Sequence, residues 1–112
     1  MQFNNTRIYT RSLELIDVTH RILRRFPTGY GFLADQLRRA ASSVPLNFAE
    51  GYGRMTQREQ RRFFVIARGS ASEVAAILDV AKGFDIVADS DYARARDICD
   101  HLARMLTKFR RA

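Results

Sequence analysis

The sequence has 112 residues, the length of one domain, because chains divide into separate cores only well above this length. Leu, Ile, Val and Phe supply 30 residues, an apolar content that predicts a packed core and excludes a disordered chain. No apolar run is long enough for a membrane span, the first 12 residues lack a signal-peptide pattern, and the one cysteine, Cys99, excludes an internal disulfide. We expect a single cytoplasmic domain over residues 1–112.

The charge of the chain is strongly positive. Nineteen lysine and arginine residues stand against twelve aspartates and glutamates, a net charge of +7, and seventeen of the nineteen are arginines. Arginine suits phosphate groups because its planar fork donates two parallel hydrogen bonds. An anionic partner, nucleic acid first, is one interpretation, and a surface charge that serves solubility is the other.

Apolar residues at helical spacing predict a first helix over about residues 8–26 and a second helix from about residue 33. The core stripe of the first is Tyr9, Leu13, Ile16, His20 and Leu23, with Leu15, Ile22 and Phe26 beside it. His20, at the edge of this stripe, is expected to be partly buried. The second helix has a stripe of Leu33, Leu37, Ala40, Val44 and Phe48. Pro45 predicts a kink within it, and Gly51 and Gly53 predict a left-handed end.

The third helix begins at a capping box, Thr56 to Glu59, and runs to about Lys82. Its core stripe is Phe63, Ile66, Ala67, Ser70, Val74, Ile77, Leu78 and Ala81. The fourth helix begins near Asp89 or Ser90, with a stripe of Tyr92, Ala95, Cys99, Leu102, Leu106 and Phe109. No period-two alternation predicts a strand. The fold class is therefore all-α, an antiparallel up-down four-helix bundle.

A second strip lies on helix three, about 180° from its core stripe. Its residues are small or apolar where charges are normal on an outward face: Val65, Gly69, Ser72, Ala76 and Val80. Glycine is also costly within a helix. The strip predicts a contact with another copy of the chain, and the alternative is an ordinary scatter of surface residues.

Arginines crowd the start of helix three, where the helix dipole disfavours cations. These arginines, which we take as candidates for nucleic-acid binding, are Arg54, Arg58, Arg61 and Arg62. They either bind phosphate or pair with carboxylates of another helix or subunit. The clusters at the ends of helices one (Arg21, Arg24, Arg25) and four (Arg104, Lys108, Arg110, Arg111) complement the helix dipole, and Lys108, Arg110 and Arg111 are further candidates.

Residues of potential catalytic or metal chemistry have ordinary explanations. Asp97, Asp100 and His101 share a face of helix four and could ligate a metal, but an Asp97–His101 contact and an Asp100–Arg104 ion pair are the favoured interpretation. Cys99 is expected to be a buried, inert thiol. The sequence contains no phosphate loop, no dinucleotide motif and no catalytic triad candidate. We therefore predict no enzymatic activity, no metal and no cofactor.

Two segments resemble the signature of a bacterial four-helix-bundle family encoded by intervening sequences of 23S ribosomal RNA genes. Residues 36–54 read QLRRAASSVPLNFAEGYGR, and residues 62–73 read RFFVIARGSASE. Leu46 and Phe48 depart from the residues usual in that family. The resemblance implies a homopentameric bundle without an established role. It also implies that related proteins act as accessory factors to reverse transcriptases of diversity-generating retroelements.

The polar positions of the family fall on Arg39, Ser43, Asn47, Glu50, Arg54, Ser70 and Glu73. We interpret them mainly as hydrogen-bonding residues that hold the Pro45 segment against helix three, since buried polar groups need partners. A functional pocket built from them is the alternative.

Together these features predict a non-catalytic oligomer, with a pentamer expected from the resemblance. The first hypothesis is binding of nucleic acid, RNA before DNA and structured RNA in particular, through backbone phosphates. The alternative is a protein-interaction scaffold or accessory factor, for example to a retroelement reverse transcriptase.

Overall fold

The computed structural model describes residues 3–110. A short 3-10 helix, Phe3–Asn5, precedes four α-helices: α1, Arg7–Leu23; α2, Gly31–Tyr52; α3, Gln57–Gly83; and α4, Asp89–Lys108. Residues 3–110 contain no strand, which confirms the all-α class and the four predicted helices. None of the helices in this range combines the length and apolar character of a membrane span.

Contacts near the helix ends define how the helices run. Phe48, near the end of α2, contacts Phe64 near the start of α3 and Phe109 just after α4, with ring centroids 5.4 and 5.2 Å apart. At the opposite end of the molecule, Tyr30 before α2 contacts Phe84 after α3 at 5.4 Å. The start of α3 therefore lies beside the ends of α2 and α4, and neighbouring helices run in opposite directions along a bundle 44 Å long.

The core stripes of α2 and α4 are those that the sequence predicts. All five predicted residues of α2 are buried, and so are Ala95, Cys99, Leu102 and Leu106 of α4. Both stripes consist of apolar residues at regular helical spacing, so the pattern alone places their faces correctly.

The predicted face of α1 is correct in part: Leu15 and Ile22 are buried, but the centre of the face is rotated about the helix axis from the predicted one. Leu13 is 43% exposed and His20 is exposed as well, whereas Ser12 and Thr19 are buried. The Ser12 hydroxyl donates a hydrogen bond to the carbonyl of Tyr9 at 2.7 Å, which satisfies it inside the core. Because small hydroxyl residues can be buried in this way, the pattern of apolar residues alone predicts a neighbouring face of α1 as the one that meets the core.

The α3 stripe is correct except at Ile66 and Phe63. Ile66 is 41% exposed and Phe63 is half-buried, and Phe64 and Ala71 are buried in the core instead. The face of α3 that meets the core is therefore centred closer to Phe64 than the sequence predicts.

The crossing of α2 and α3 is close at Gly51. A Cβ atom there would lie 2.8 Å from Phe63 Cβ and 2.8 Å from Phe64 Cε1. Gly51 lies inside α2, and Gly53 has a φ of −82°, so the predicted left-handed end is wrong. Glycine is needed at position 51 because α3 lies too close for a side chain, and not because the backbone adopts a left-handed conformation. The helix continues through Pro45, and its kink stays a prediction.

Candidate nucleic-acid interface

Positive charge is concentrated in one half of the bundle. We call this half the basic end; it comprises residues 3–15, 42–70 and 98–110 and carries ten arginine and lysine residues against four carboxylates. The other half of the described chain, residues 16–41 and 71–97, carries eight of each. The net positive charge of the described chain therefore lies at the end of the bundle where α3 begins.

Several cations of the balanced half have carboxylate partners. Arg21 Nε lies 3.3 Å from Asp91 Oδ1, and Arg25 Nη1 lies 4.0 Å from Asp91 Oδ2. Lys82 pairs with Asp89. A structural role is sufficient for these cations.

The arginines of the basic end that flank the start of α3 are arranged differently. A groove of about 370 Å³ lies between the start of α3 and the end of α4, and its rim contains Arg58, Arg61, Arg68 and Arg110. None of the four pairs with a carboxylate of residues 3–110. Like charges that share a groove repel one another, so an anion bound among them would be stabilised.

Two of these side chains are held by hydrogen bonds to neutral groups. Arg68 Nη1 donates to Thr107 Oγ1 of α4 at 3.2 Å, and Arg110 Nη1 donates to the carbonyl of Phe109 at 2.9 Å. These contacts orient the guanidinium groups without neutralising them, so both remain able to attract an anion.

The start of α3 is fixed by its cap. The amide of Glu59 donates to Thr56 Oγ1 at 3.2 Å, and the Thr56 hydroxyl donates to Glu59 Oε2 at 3.3 Å. The predicted helix start is confirmed. Because the positive end of the α3 dipole lies beside the groove, it adds to the field of the arginines.

The floor of the groove is apolar. Phe64 and Leu106 are buried there, and the ring of Phe109 meets that of Phe64 edge-on at 5.3 Å. Gln60 also lines the groove although it is only 5% exposed, and its Nε2 donates to the carbonyl of Arg54 at 2.9 Å.

Sequence reasoning missed Arg68 and Gln60 as groove residues. Arg68 follows Arg61 by seven residues, which places both on one face of a helix, and this spacing could have revealed it. Gln60 carries no such signal, because nothing in the pattern distinguishes a buried glutamine from an exposed one.

The sequence predicts Arg54 and Arg62 as nucleic-acid-binding residues together with Arg58 and Arg61, but these two do not line the groove. Arg54 Nη2 lies 2.7 Å from Glu50 Oε2, and its guanidinium stacks over Phe63 at 4.8 Å. Arg62 lies over the same ring at 5.7 Å. Both therefore face the α2 side of α3. Lys108 is exposed beyond the groove lining, and Arg111 lies outside the described residues.

The second strip of α3 is exposed along its whole length in the single chain. Val65 is 56% and Val80 46% exposed, and Gly69, Ser72 and Ala76 are exposed between them. Nothing lies within 4 Å of a Cβ built on Gly69. Val65 also lines the basic groove, so the strip and the groove adjoin on one helix face.

The polar family positions cluster where α2 meets α3. Ser70 Oγ donates to Ser43 Oγ at 2.7 Å, and Asn47 Nδ2 donates to the carbonyl and hydroxyl oxygens of Ser43 at 2.9 and 2.8 Å. Glu50 pairs with Arg54, whereas Arg39 and Glu73 are exposed.

Asp97, Asp100 and His101 have no metal-site geometry in the structure. Among residues 3–110, no group of three His, Cys, Asp or Glu side chains converges. Arg11 of α1 occupies this face: its Nε donates to His101 Nδ1 at 3.0 Å, and its Nη2 lies 3.6 Å from Asp97 Oδ2. Desolvation lowers the pKa of His101, and the charge of Arg11 lowers it further.

Cys99 is buried, and this burial raises the pKa of its thiol to about 12. Such a thiol is protonated at neutral pH, and only the thiolate is a good nucleophile.

Comparisons with known proteins identify a family and a solved structure to which this chain is similar. The family model described as 23S rRNA-intervening sequence protein matches residues 4–108. A crystal structure of a protein of unknown function, from the S23 ribosomal protein family of Bacteroides thetaiotaomicron, superposes with a TM-score of 0.81. It is 15% identical and covers 88% of this chain and 94% of its own, a likeness of fold alone. The comparison with curated proteins found no match. Because the family model spans nearly all of the helical bundle, the chain belongs to the 23S rRNA-intervening sequence protein family.

Proposed function

We propose that this protein is a non-catalytic, oligomeric RNA-binding protein that holds structured RNA through its backbone phosphates. The observation that carries this proposal is the groove at the basic end, where Arg58, Arg61, Arg68 and Arg110 converge without a carboxylate partner among residues 3–110. Guanidinium groups so placed match phosphate oxygens in charge and in geometry.

RNA is favoured over other polyanions by the family description, which refers to an insertion in 23S rRNA. The absence of a reactive thiol at Cys99 and the Arg11 contacts of Asp97 and His101 favour a binding role over a catalytic one. Phosphate contacts of this kind carry little sequence information, so binding is tolerant of RNA sequence.

Oligomerisation through the exposed strip of α3 would strengthen this binding. Val65 belongs to both the strip and the groove lining, so grooves of associated copies would lie close to their shared contacts. Several weak phosphate sites on one assembly raise the overall affinity, because the second contact becomes intramolecular.

The test is the affinity for a hairpin RNA, measured by fluorescence anisotropy over a salt series. Wild type is expected to bind with a steep salt dependence, and Arg61→Gln/Arg68→Gln is expected to reduce the slope of log K against log salt by about 1 to 2. Arg24→Gln/Arg94→Gln is the matched control, because it removes the same charge from two exposed arginines of the balanced half. No binding by wild type, a salt-independent affinity, or an equal loss in the control contradicts the proposal.

A second candidate function, a scaffold that binds another protein, is favoured by an aromatic surface at the opposite end. Tyr30 contacts Phe32 and Phe84 at 6.2 and 5.4 Å, and these two phenylalanines are 55% and 50% exposed. Exposed aromatic residues are common anchors of protein interfaces. Co-purification of one partner from a nuclease-treated lysate, lost in Phe32→Ser/Phe84→Ser and retained in Arg61→Gln/Arg68→Gln, would favour this function over RNA binding.

A further inference from the structure

The groove at the basic end contains more than phosphate contacts require. Backbone phosphates lie on the outside of a helical nucleic acid, where side chains on an open protein surface can reach them. Here the rim arginines surround a concave floor made by Phe64, Leu106 and Phe109. Phosphate contacts do not use this apolar floor, so the groove can also receive a second, apolar part of the ligand.

Gln60 supplies a polar group within this apolar floor. Its side chain is nine-tenths buried, and its Nε2 is used by the carbonyl of Arg54. Its Oε1 accepts no hydrogen bond from the described residues. This oxygen is not one of the buried side-chain atoms without a partner in residues 3–110, so it reaches the solvent in the groove, where a ligand can donate a hydrogen bond to it.

We propose that the groove takes up one unpaired nucleotide of the bound RNA. The base lies on the floor formed by Phe64, Leu106 and Phe109, an N–H of its edge donates to Gln60 Oε1, and the adjoining phosphates lie against Arg61 and Arg68. This inference rests on the proposed function and names which part of an RNA the groove recognises.

The dimensions and chemistry of the groove suit such a ligand. Its volume of about 370 Å³ falls within the range of small-molecule sites, roughly 300 to 1,000 Å³. Recognition of RNA commonly uses unpaired bases that leave the helix and contact aromatic side chains. Gln60 accepts from any base that presents an N–H, so the site discriminates paired from unpaired bases more strongly than one base from another.

Three hairpin RNAs of equal length test this proposal on the wild-type protein. One is fully paired, one has a single-nucleotide bulge, and one has the same bulge with its base removed to leave an abasic sugar. We expect the bulged hairpin to bind about tenfold more tightly than the paired one, and the abasic bulge to bind like the paired hairpin. Equal affinity of the bulged and abasic RNAs overturns this inference and leaves phosphate binding intact. No binding of any hairpin overturns the proposed function itself.

The variant Gln60→Met separates the base contact from the phosphate contacts. Methionine has a similar size and no hydrogen-bonding group of comparable strength, so the ratio of affinities for the bulged and paired hairpins is expected to fall. The paired hairpin places no base in the groove, so its affinity measures separately what loss of the Nε2 bond to the Arg54 carbonyl does to the phosphate contacts. Gln36→Met, on the exposed face of α2, is the control. Circular dichroism verifies that both variants are folded, and an unchanged bulge preference in folded Gln60→Met contradicts the role of Gln60.

Discussion

Gly51 and Phe63 approach each other so closely that no side chain fits between them: a Cβ on Gly51 would lie 2.8 Å from Phe63 Cβ. Phe63 Cβ is fixed to the α3 backbone and cannot rotate away, and the carbonyl oxygen of Gln60 is only 3.0 Å from the same point. The α2–α3 crossing therefore depends on a glycine, and this crossing positions the start of α3 with its groove.

Gly51→Ala is expected to cost about 2 to 3 kcal/mol in packing, because the extra methyl group must push α3 away from α2. The gain in helix propensity, about 1 kcal/mol, leaves a net destabilisation of about 1 to 2 kcal/mol. Urea denaturation followed by circular dichroism measures the change. Gly83→Ala is the control, because no atom lies within 4 Å of a Cβ at that position. Equal stability of Gly51→Ala and wild type would contradict the close approach.

The hydrogen bond between Ser70 and Ser43 joins α2 to α3 at a buried position. Ser70→Ala is expected to lower the free energy of unfolding by about 1 kcal/mol, since it removes a donor to Ser43 Oγ. A double-mutant cycle with Ser43→Ala measures the coupling, which we expect to be at least about 0.5 kcal/mol. Ser42→Ala is the control, because the Ser42 hydroxyl bonds only within α2. A coupling of zero would show that the two hydroxyls do not stabilise the crossing.

The sequence is sufficient to predict four helices, because each carries an apolar stripe and recognisable ends. It predicts faces well in α2, where Leu33 to Phe48 are regularly spaced, and poorly in α1, where Ser12 and Thr19 occupy core positions. The difference is physical: a hydroxyl that bonds to its own helix can be buried at little cost, and pattern analysis counts it as exposed.

The candidate site can be predicted only in part from the sequence, because its geometry depends on contacts between different helices. The crowding of arginines at the start of α3 is visible in the sequence, but their division between the groove and the Phe63 ring depends on how α2, α3 and α4 pack. In the same way, the pairing of Arg11 with His101, 90 positions away, cannot be obtained from i, i+4 spacing on α4 alone.

The lowered pKa of His101 is expected to make the stability of the bundle depend on pH. Desolvation and the neighbouring arginines, Arg11 first among them, lower its pKa in the folded state below the ordinary value of 6.5. As pH falls below 6.5, the unfolded chain binds the proton first, so the free energy of unfolding decreases until the lowered pKa is passed. The expected loss is small, below about 1 kcal/mol, because the group is partly exposed.

Thermal melting between pH 7.5 and 5 tests this dependence. The slope of stability against pH is expected to be smaller in His101→Gln, which cannot titrate. His20→Gln is the control, because His20 is exposed on α1. A His101→Gln variant that keeps the full wild-type slope would show that other groups cause it.

The exposed strip of α3 predicts self-association, and Gly69→Glu tests it. Gly69 lies at the centre of the strip with open space around its Cβ, so a glutamate is tolerated in a single chain and affects only what approaches from outside. If another copy covers the strip, the buried carboxylate is unpaired and the assembly is expected to dissociate. Light scattering should then give several times 12.9 kDa for wild type and close to 12.9 kDa for Gly69→Glu. Gln36→Glu, an exposed change of equal charge on α2, should leave the mass unchanged. A monomeric wild type would contradict self-association. An oligomeric Gly69→Glu would show that the copies associate through a different face.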